Sequence, residues 1–229
     1  MKEIALTFKV KLAIVFTIVV WASAFVGIRA GLSVYDPGAL ALLRYAVASL
    51  FMLGCYVYLP NKTIPNWRDL GMFLLLGATG FAFYNIALGY GEKYLTAGEA
   101  GFIVATNPMV TAVLAIIFLR EKMAPLAWLG VLVSLMGVGL IAYAEVGAFQ
   151  FNAGIVYSFI ATLCFSIYCV AQKPLLERYS SLELVVFAIW MGTLLLLPYL
   201  PETLIEIKKA PLSLTLWIIY LGIFPGALA

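Results

Sequence analysis

Not one of the 229 residues is histidine. That absence excludes Ser–His nucleophilic catalysis and His-ligated zinc or haem. Charge is scarce as well. Asp, Glu, Lys and Arg make up 11% of the chain, against about 25% in soluble globular proteins. The 14 basic and 11 acidic side chains cannot cover the surface of a water-soluble fold of this length. No Asp or Glu falls in the middle of an apolar run, so a bulky organic cation would find no counter-charge at mid-membrane depth. The net charge of +3 is small and scattered, and no nucleic-acid partner is expected. The 3 cysteines, Cys55, Cys164 and Cys169, lie in apolar runs without CxxC spacing and are expected as small hydrophobes. A GxxxxGK[ST] phosphate loop is also missing. No metal, no cofactor and no enzymatic activity are expected.

What the chain has in abundance is apolar surface. Hydrophobic residues reach 65%, against about 45–50% in globular proteins. The solvent for such a chain is lipid. Since a helical span needs about 20 apolar residues, eight candidates emerge: Leu12–Gly31, Pro37–Leu59, Leu70–Tyr90, Ala97–Leu119, Ala124–Tyr143, Ala153–Gln172, Leu182–Leu200 and Leu212–Ala229. The breaks between them carry polar or helix-ending residues, among them Tyr35-Asp36-Pro37, Pro60-Asn61-Lys62 and Lys208-Lys209. The fold class is thus all-α and polytopic. Aromatic residues (14%) suit either the membrane interface or a cavity lining.

Basic residues set the expected orientation, because Lys and Arg are retained on the cytoplasmic side. A cytoplasmic N-terminus places Lys2, Lys9, Lys11, Lys62, Arg68, Arg120, Lys122, Lys173 and Arg178 inside. It leaves the smaller set Arg29, Arg44, Lys93, Lys208 and Lys209 toward the outside. A competing reading treats Ala22-Ser23-Ala24 as a signal-peptidase site, which would turn the N-terminus outward. Against it, Trp21 crowds the cut and the apolar run continues beyond it.

The chain also repeats itself weakly. Leu75-Leu76-Gly77-Ala78-Thr79-Gly80-Phe81-Ala82 aligns with Tyr220-Leu221-Gly222-Ile223-Phe224-Pro225-Gly226-Ala227, and Trp21-Ala22-Ser23-Ala24-Phe25 with Cys164-Phe165-Ser166-Ile167-Tyr168. The offsets, 145 and 143 residues, map the first span on the sixth and the third on the eighth. The unit is five helices, and an odd unit enters the membrane from opposite faces in its two copies: an inverted repeat. Residues 1–145 form the first repeat and 146–229 an incomplete second one. Two more helices are expected after Ala229, since apolar Phe224–Ala229 has no polar tail.

Several motifs resemble the EamA-like ten-helix branch of the drug/metabolite transporter superfamily. They are Trp21-Ala22-Ser23-Ala24-Phe25, Pro37 with Arg44, Ala87-Leu88, Tyr94-Leu95-Thr96-Ala97-Gly98-Glu99-Ala100, Asn107-Pro108, Leu119-Arg120-Glu121-Lys122, and Gly130 with Gly137-Val138-Gly139. The resemblance runs along the whole chain and covers about three quarters of a typical member. It implies a multi-pass protein of the bacterial or archaeal cell membrane with a cytoplasmic N-terminus, moving small organic metabolites such as amino acids, often outward.

The residues themselves point to a mid-membrane site. Trp21, Ser23 and Phe25 lie in the first span, Tyr84 and Asn85 in the third, Thr106 and Asn107 in the fourth, Ser166 and Tyr168 in the sixth, and Tyr220 in the eighth. An uncompensated amide in hydrocarbon costs about several kcal/mol, so Asn85 and Asn107 must face protein or a wet cavity. These ten are the expected substrate-binding residues. A neutral or zwitterionic metabolite with an apolar side chain suits Trp21, Phe25, Tyr84 and Tyr168. Equally, Ser, Thr and Asn at such positions bridge neighbouring helices without binding anything. Pro108 and Pro225 each remove a backbone donor and are expected to kink their spans. Arg29, Arg44, Glu92 and Glu99 lie toward the outer half. They either pair with one another or snorkel to the head groups, or they serve function: an Arg receiving a substrate carboxylate, a Glu forming part of a gate. The leading expectation is a secondary transporter working by alternating access. The other is a non-transporting membrane assembly partner or an inactive fragment, which the reading frame beyond Ala229 would distinguish.

Overall fold

The computed structural model describes residues 8–60, 62–120, 128–133, 136 and 152–228. Everything regular in it is helical. Most of the expected fifth span, Ala124–Tyr143, lies outside the described residues, as do Glu121-Lys122, Gly137-Val138-Gly139 and the boundary expected between the two repeats.

Helix ends fall where local chemistry puts them. The first span runs Phe8–Gly31 and the second Pro37–Val57, where Pro37 opens the helix after an extended Asp36. The fourth begins at Ala97 behind a capping box: the Thr96 hydroxyl accepts from the Glu99 N–H while the Glu99 carboxylate accepts from the Thr96 N–H. Ser180 and Glu183 build the same box at the start of the seventh, Ser181–Leu196. Asn152 caps the sixth, Ala153–Ala171, through the Ile155 N–H. The seventh was expected to end at Leu200, but a 3₁₀ turn (Leu197–Tyr199) carries it into a further helix, Leu200–Lys209. Pro198 and Pro201 do not stop it because each sits in the first turn of its segment, where no N–H is needed. Among the described residues, 6 helical runs are long and apolar enough to cross a membrane, and Leu212–Leu228 is a shorter apolar helix. The three cysteines are free and half-buried.

Two spans are irregular inside the membrane. The third is α-helical over Leu70–Leu76 and Phe83–Tyr94, with a π-helical turn over Gly77–Ala82 between them. The eighth passes from Leu212–Ile223 into a second π turn, Phe224–Leu228. Such turns leave backbone groups free for other partners and recur at functional sites.

Packing follows a reciprocal scheme. The second and seventh spans meet at Ser49 and Thr193, 144 positions apart, whose hydroxyls are 2.8 Å from each other. Gly77 of the third span lies against the backbone of Gly192 in the seventh: a Cβ on Gly77 would be 2.5 Å from the Gly192 nitrogen. Shifted by 145, the same pair of positions is Gly222 and Val47, and a Cβ on Gly222 would be 2.9 Å from the Val47 Cβ. Tyr35 and Tyr179 behave alike. Buried Tyr35 reaches Thr215 Oγ1 at 3.4 Å, and buried Tyr179 donates to Asp69 Oδ2 at 2.9 Å. Each of these positions and its counterpart about 145 residues away therefore finds its partner across the chain, on the other side of residue 145.

The ends of the bundle are tied. At one, Lys93 bridges to Asp36 at 2.7 Å and the Asp36 N–H donates to Glu206 at 3.1 Å. At the other, buried Asp69 accepts from Arg178 and Tyr179, and Glu183 accepts from the Thr63 N–H. Burial raises the Tyr179 phenol above its ordinary value, and the bond to Asp69 adds to this.

Candidate functional site

The expected site residues gather into three groups. The first is an aromatic and amide row on the sixth span. Phe165 is the hub: Trp21 meets it edge-on at 6.3 Å, Tyr84 tilts against it at 5.2 Å, and Tyr168 stacks on it at 5.7 Å. Tyr168 continues to Phe81 at 5.4 Å, and Phe81 to Tyr45 at 5.3 Å. Beside this row the Asn107 amide donates to Ser166 Oγ (2.9 Å) and to the Thr162 carbonyl (3.3 Å), while accepting from Thr111. Asn107 thus spends its amide bridging the fourth and sixth spans.

That bridge exists because the fourth span is broken. Helix Ala97–Val104 ends, two residues turn, and Asn107–Leu119 restarts with Pro108 in its first turn. Pro108 was expected to kink a continuous helix. Instead it opens a second half-helix, where its missing N–H is harmless. The Thr106 hydroxyl closes the turn by donating to the Ile103 carbonyl at 2.7 Å.

The second group surrounds Arg44. This side chain is 6% exposed and is held by two bonds: Nε donates to the Leu221 carbonyl at 3.1 Å, and Nη1 to Asn85 Oδ1 at 3.0 Å. Proline explains the first. Pro225 has no N–H to give the carbonyl four residues back, which is Leu221, and the guanidinium takes that place. Asn85 in turn donates to the Phe81 carbonyl (2.7 Å) and to the Tyr45 hydroxyl (3.0 Å). The guanidinium carbon lies 5.4 Å from the Tyr45 ring centre. Among the described residues no carboxylate is one of these partners, and Nη2 makes no hydrogen bond.

The third group is small. Ser23 donates to the Val20 carbonyl and shares a 2.8 Å bond with the Tyr220 hydroxyl, and Tyr220 stacks on Phe224. Phe25 packs across Gly101 of the fourth span, 3.6 Å from where a Cβ would stand.

The four charged candidates do not pair with one another in this conformation. Arg29 donates Nη1 to the backbone carbonyls of Glu92 and Leu95. Glu99 is engaged in its capping box, and Glu92 is 0% exposed with neither carboxyl oxygen bonded. Local capping and backbone acceptors outcompete the long-range ion pairs. Tyr45, Phe81, Phe165 and Thr162 were not among the expected lining. Tyr45 directly follows Arg44 and Phe165 directly precedes Ser166, so adjacency to named residues was the available signal.

The chain is similar to known proteins. A family model described as the EamA-like transporter family matches residues 9–143 and again 152–229. An uncharacterized transporter of Bacillus subtilis, YdfC, is 41% identical over 206 residues, covering 90% of this chain and 67% of that protein. A "Probable terminal-alkyne amino-acid exporter" of Streptantibioticus cattleyicolor is 38% identical over 216 residues, 94% of this chain and 72% of its own. An uncharacterized transporter of Archaeoglobus fulgidus shares 30% identity over 216 residues. One crystal structure matches the fold with a TM-score of 0.68 at 19% identity, covering 95% of this chain and 75% of that one. The family model falls on this multi-pass helical membrane chain once on either side of residue 150, and the chain belongs to the EamA-like transporter family.

Proposed function

We propose that the chain is the greater part of an alternating-access carrier that exports small amino-acid-like metabolites, with Arg44 receiving the substrate carboxylate. One observation carries this reading. Arg44 is a buried guanidinium with Nε and Nη1 fixed and, among the described residues, no ion pair and no hydrogen bond at Nη2. A charge inside a membrane bundle calls for a partner, and a bound carboxylate supplies one bidentately. The aromatic row Trp21–Phe165–Tyr84–Tyr168 suits an apolar side chain, and Asn85, Ser23, Asn107, Ser166, Thr106, Tyr220 and Phe25 complete the proposed lining. The exporter relative's name supports both the substrate class and the direction.

Alternating access follows from two inverted halves, residues 1–145 and 146–229, with the N-terminus cytoplasmic. The reciprocal contacts about Ser49 and Thr193 and the doubled family match support that division. One half rocks against the other around the site, the irregular backbone at Pro108 and Pro225 gives it flex points, and Glu99 lies at the outer gate. The tie from Asp36 to Lys93 and the tie from Asp69 to Arg178 would open alternately.

Asn107→Ala and Trp21→Ala should each lower transport at least about tenfold, a loss of about 1.4 kcal/mol in transport free energy, while the protein still inserts. Export of a panel of labelled neutral amino acids from vesicles measures this. Undiminished flux in both variants removes the proposed lining.

A further inference from the structure

Glu92 occupies the last turn of the third span, and the structure gives it no companion. It is 0% exposed, and neither Oε1 nor Oε2 accepts a hydrogen bond. The other buried acids among the described residues are satisfied: Asp69 by Arg178 and Tyr179, Glu183 by Ser180 and Thr63. The hydroxyl of Ser158, on the sixth span, is the one other buried side-chain oxygen without a partner among the described residues. It lies against Gly91, where a Cβ would overlap it. The unpartnered Ser158 hydroxyl thus meets the third span at the residue that precedes Glu92. Packing alone does not account for them, since an apolar pair would be more stable there.

No charged or titratable neighbour among the described residues gives the carboxyl a hydrogen bond. From the first span, Arg29 gives Nη1 to the backbone carbonyls of Glu92 and Leu95, not to the carboxyl. From the second, Arg44 is taken by Leu221 and Asn85, and Asp36 by Lys93, which is itself on the third span. From the fourth, Glu99 is held by Thr96. From the sixth, Tyr157 packs against the rings of Tyr90 and Tyr94, and Tyr84 lies against Phe165. An ionised carboxylate needs several donors, and an uncompensated one in a low-dielectric interior costs about several kcal/mol. The neutral acid avoids most of that cost.

We propose that Glu92 is the proton-carrying site of this transporter. It holds a proton while the third and sixth spans are closed over it and releases it to water when they part, so that one proton crosses in each cycle. The step is a simple one. The carboxylate takes a proton from water on one side, forming an O–H bond, and returns it to water on the other. The inference rests on the carrier reading and names its coupling ion. Arg29 supplies the mechanical link, because parting the first span from the end of the third must break its two carbonyl contacts.

Infrared spectroscopy of the full chain in lipid tests the site without any substrate. At neutral pH a protonated-carboxyl band that shifts in D₂O is expected, and Glu92→Gln should lack it. If Glu92→Gln does not survive purification, Glu92→Asp should shift the band. Absence of the band in the parent protein, or a band indifferent to both variants, overturns the site. In vesicles, a pH gradient of about one unit should change the accumulation of labelled neutral amino acids by up to about tenfold for one proton per cycle. Glu92→Gln should abolish that response. Accumulation that ignores the gradient overturns the coupling and leaves the carrier standing. If no solute moves at all, the carrier reading fails, and the infrared band still decides whether Glu92 holds a proton.

Discussion

Gly77→Ala and Gly222→Ala are expected to destabilise the bundle alike, each by about 1–3 kcal/mol or more. A Cβ on Gly77 would stand 2.5 Å from the Gly192 nitrogen and 2.7 Å from the Met191 Cβ. One on Gly222 would stand 2.6 Å from the Arg44 carbonyl oxygen. These obstacles are mostly backbone, so no side chain can swing aside and the helices themselves must separate. Gly54 and Gly71 supply the contrast: nothing lies within 4 Å of a Cβ at either position. Gly54→Ala and Gly71→Ala should be neutral or gain up to about 1 kcal/mol from helix propensity. Melting temperatures of the detergent-purified variants make the comparison. If all four variants melt together, the close approach of the two interfaces is wrong.

The second large effect concerns Arg44. Arg44→Met should cost about 2–5 kcal/mol, because it leaves the Leu221 carbonyl and the Asn85 oxygen without a donor in an apolar interior. Pro225→Ala restores an N–H that can reach the Leu221 carbonyl. The double variant should therefore lose less than Arg44→Met alone, by about 1 kcal/mol or more in a double-mutant cycle of unfolding free energies. Strict additivity would show that the guanidinium does not stand in for the missing backbone donor. Transport should not recover in the double variant, since the proposed carboxylate partner is still gone. Stability and transport thus separate the two roles of one side chain.

Much of this molecule was legible before any coordinates. Long apolar runs announced the spans because a bilayer demands them, and Thr96-x-x-Glu99 and Ser180-x-x-Glu183 mark helix starts by local chemistry alone. The similar Leu75–Ala82 and Tyr220–Ala227 segments each contain a π turn, at overlapping positions of the alignment, although the turn type itself has no sequence signature here. Charge and depth alone do not fix the partners of Arg29, Arg44, Glu92 and Glu99, which do not bond one another. Glu99 has a nearer partner three residues back, and Arg29 finds backbone carbonyls that no side-chain inventory reveals. Arg44 and Leu221, 177 positions apart, are joined through a carbonyl that only a proline elsewhere leaves free. Asn107 and Ser166 were both named, yet that they bond each other depends on how two helices are set against one another. The isolation of Glu92 is likewise a property of packing.

The inverted relation of the two halves underlies the carrier reading, and site-directed labelling reaches it most directly. Ser33 and Glu177 are exposed, 144 positions apart, and lie in corresponding connections after the first and sixth spans. In a background without the native cysteines, Ser33→Cys should react with an impermeant maleimide added outside intact cells. Glu177→Cys should react only after the cytoplasm is opened. Both cysteines reacting from the same face would contradict the inverted halves and the alternating mechanism built on them.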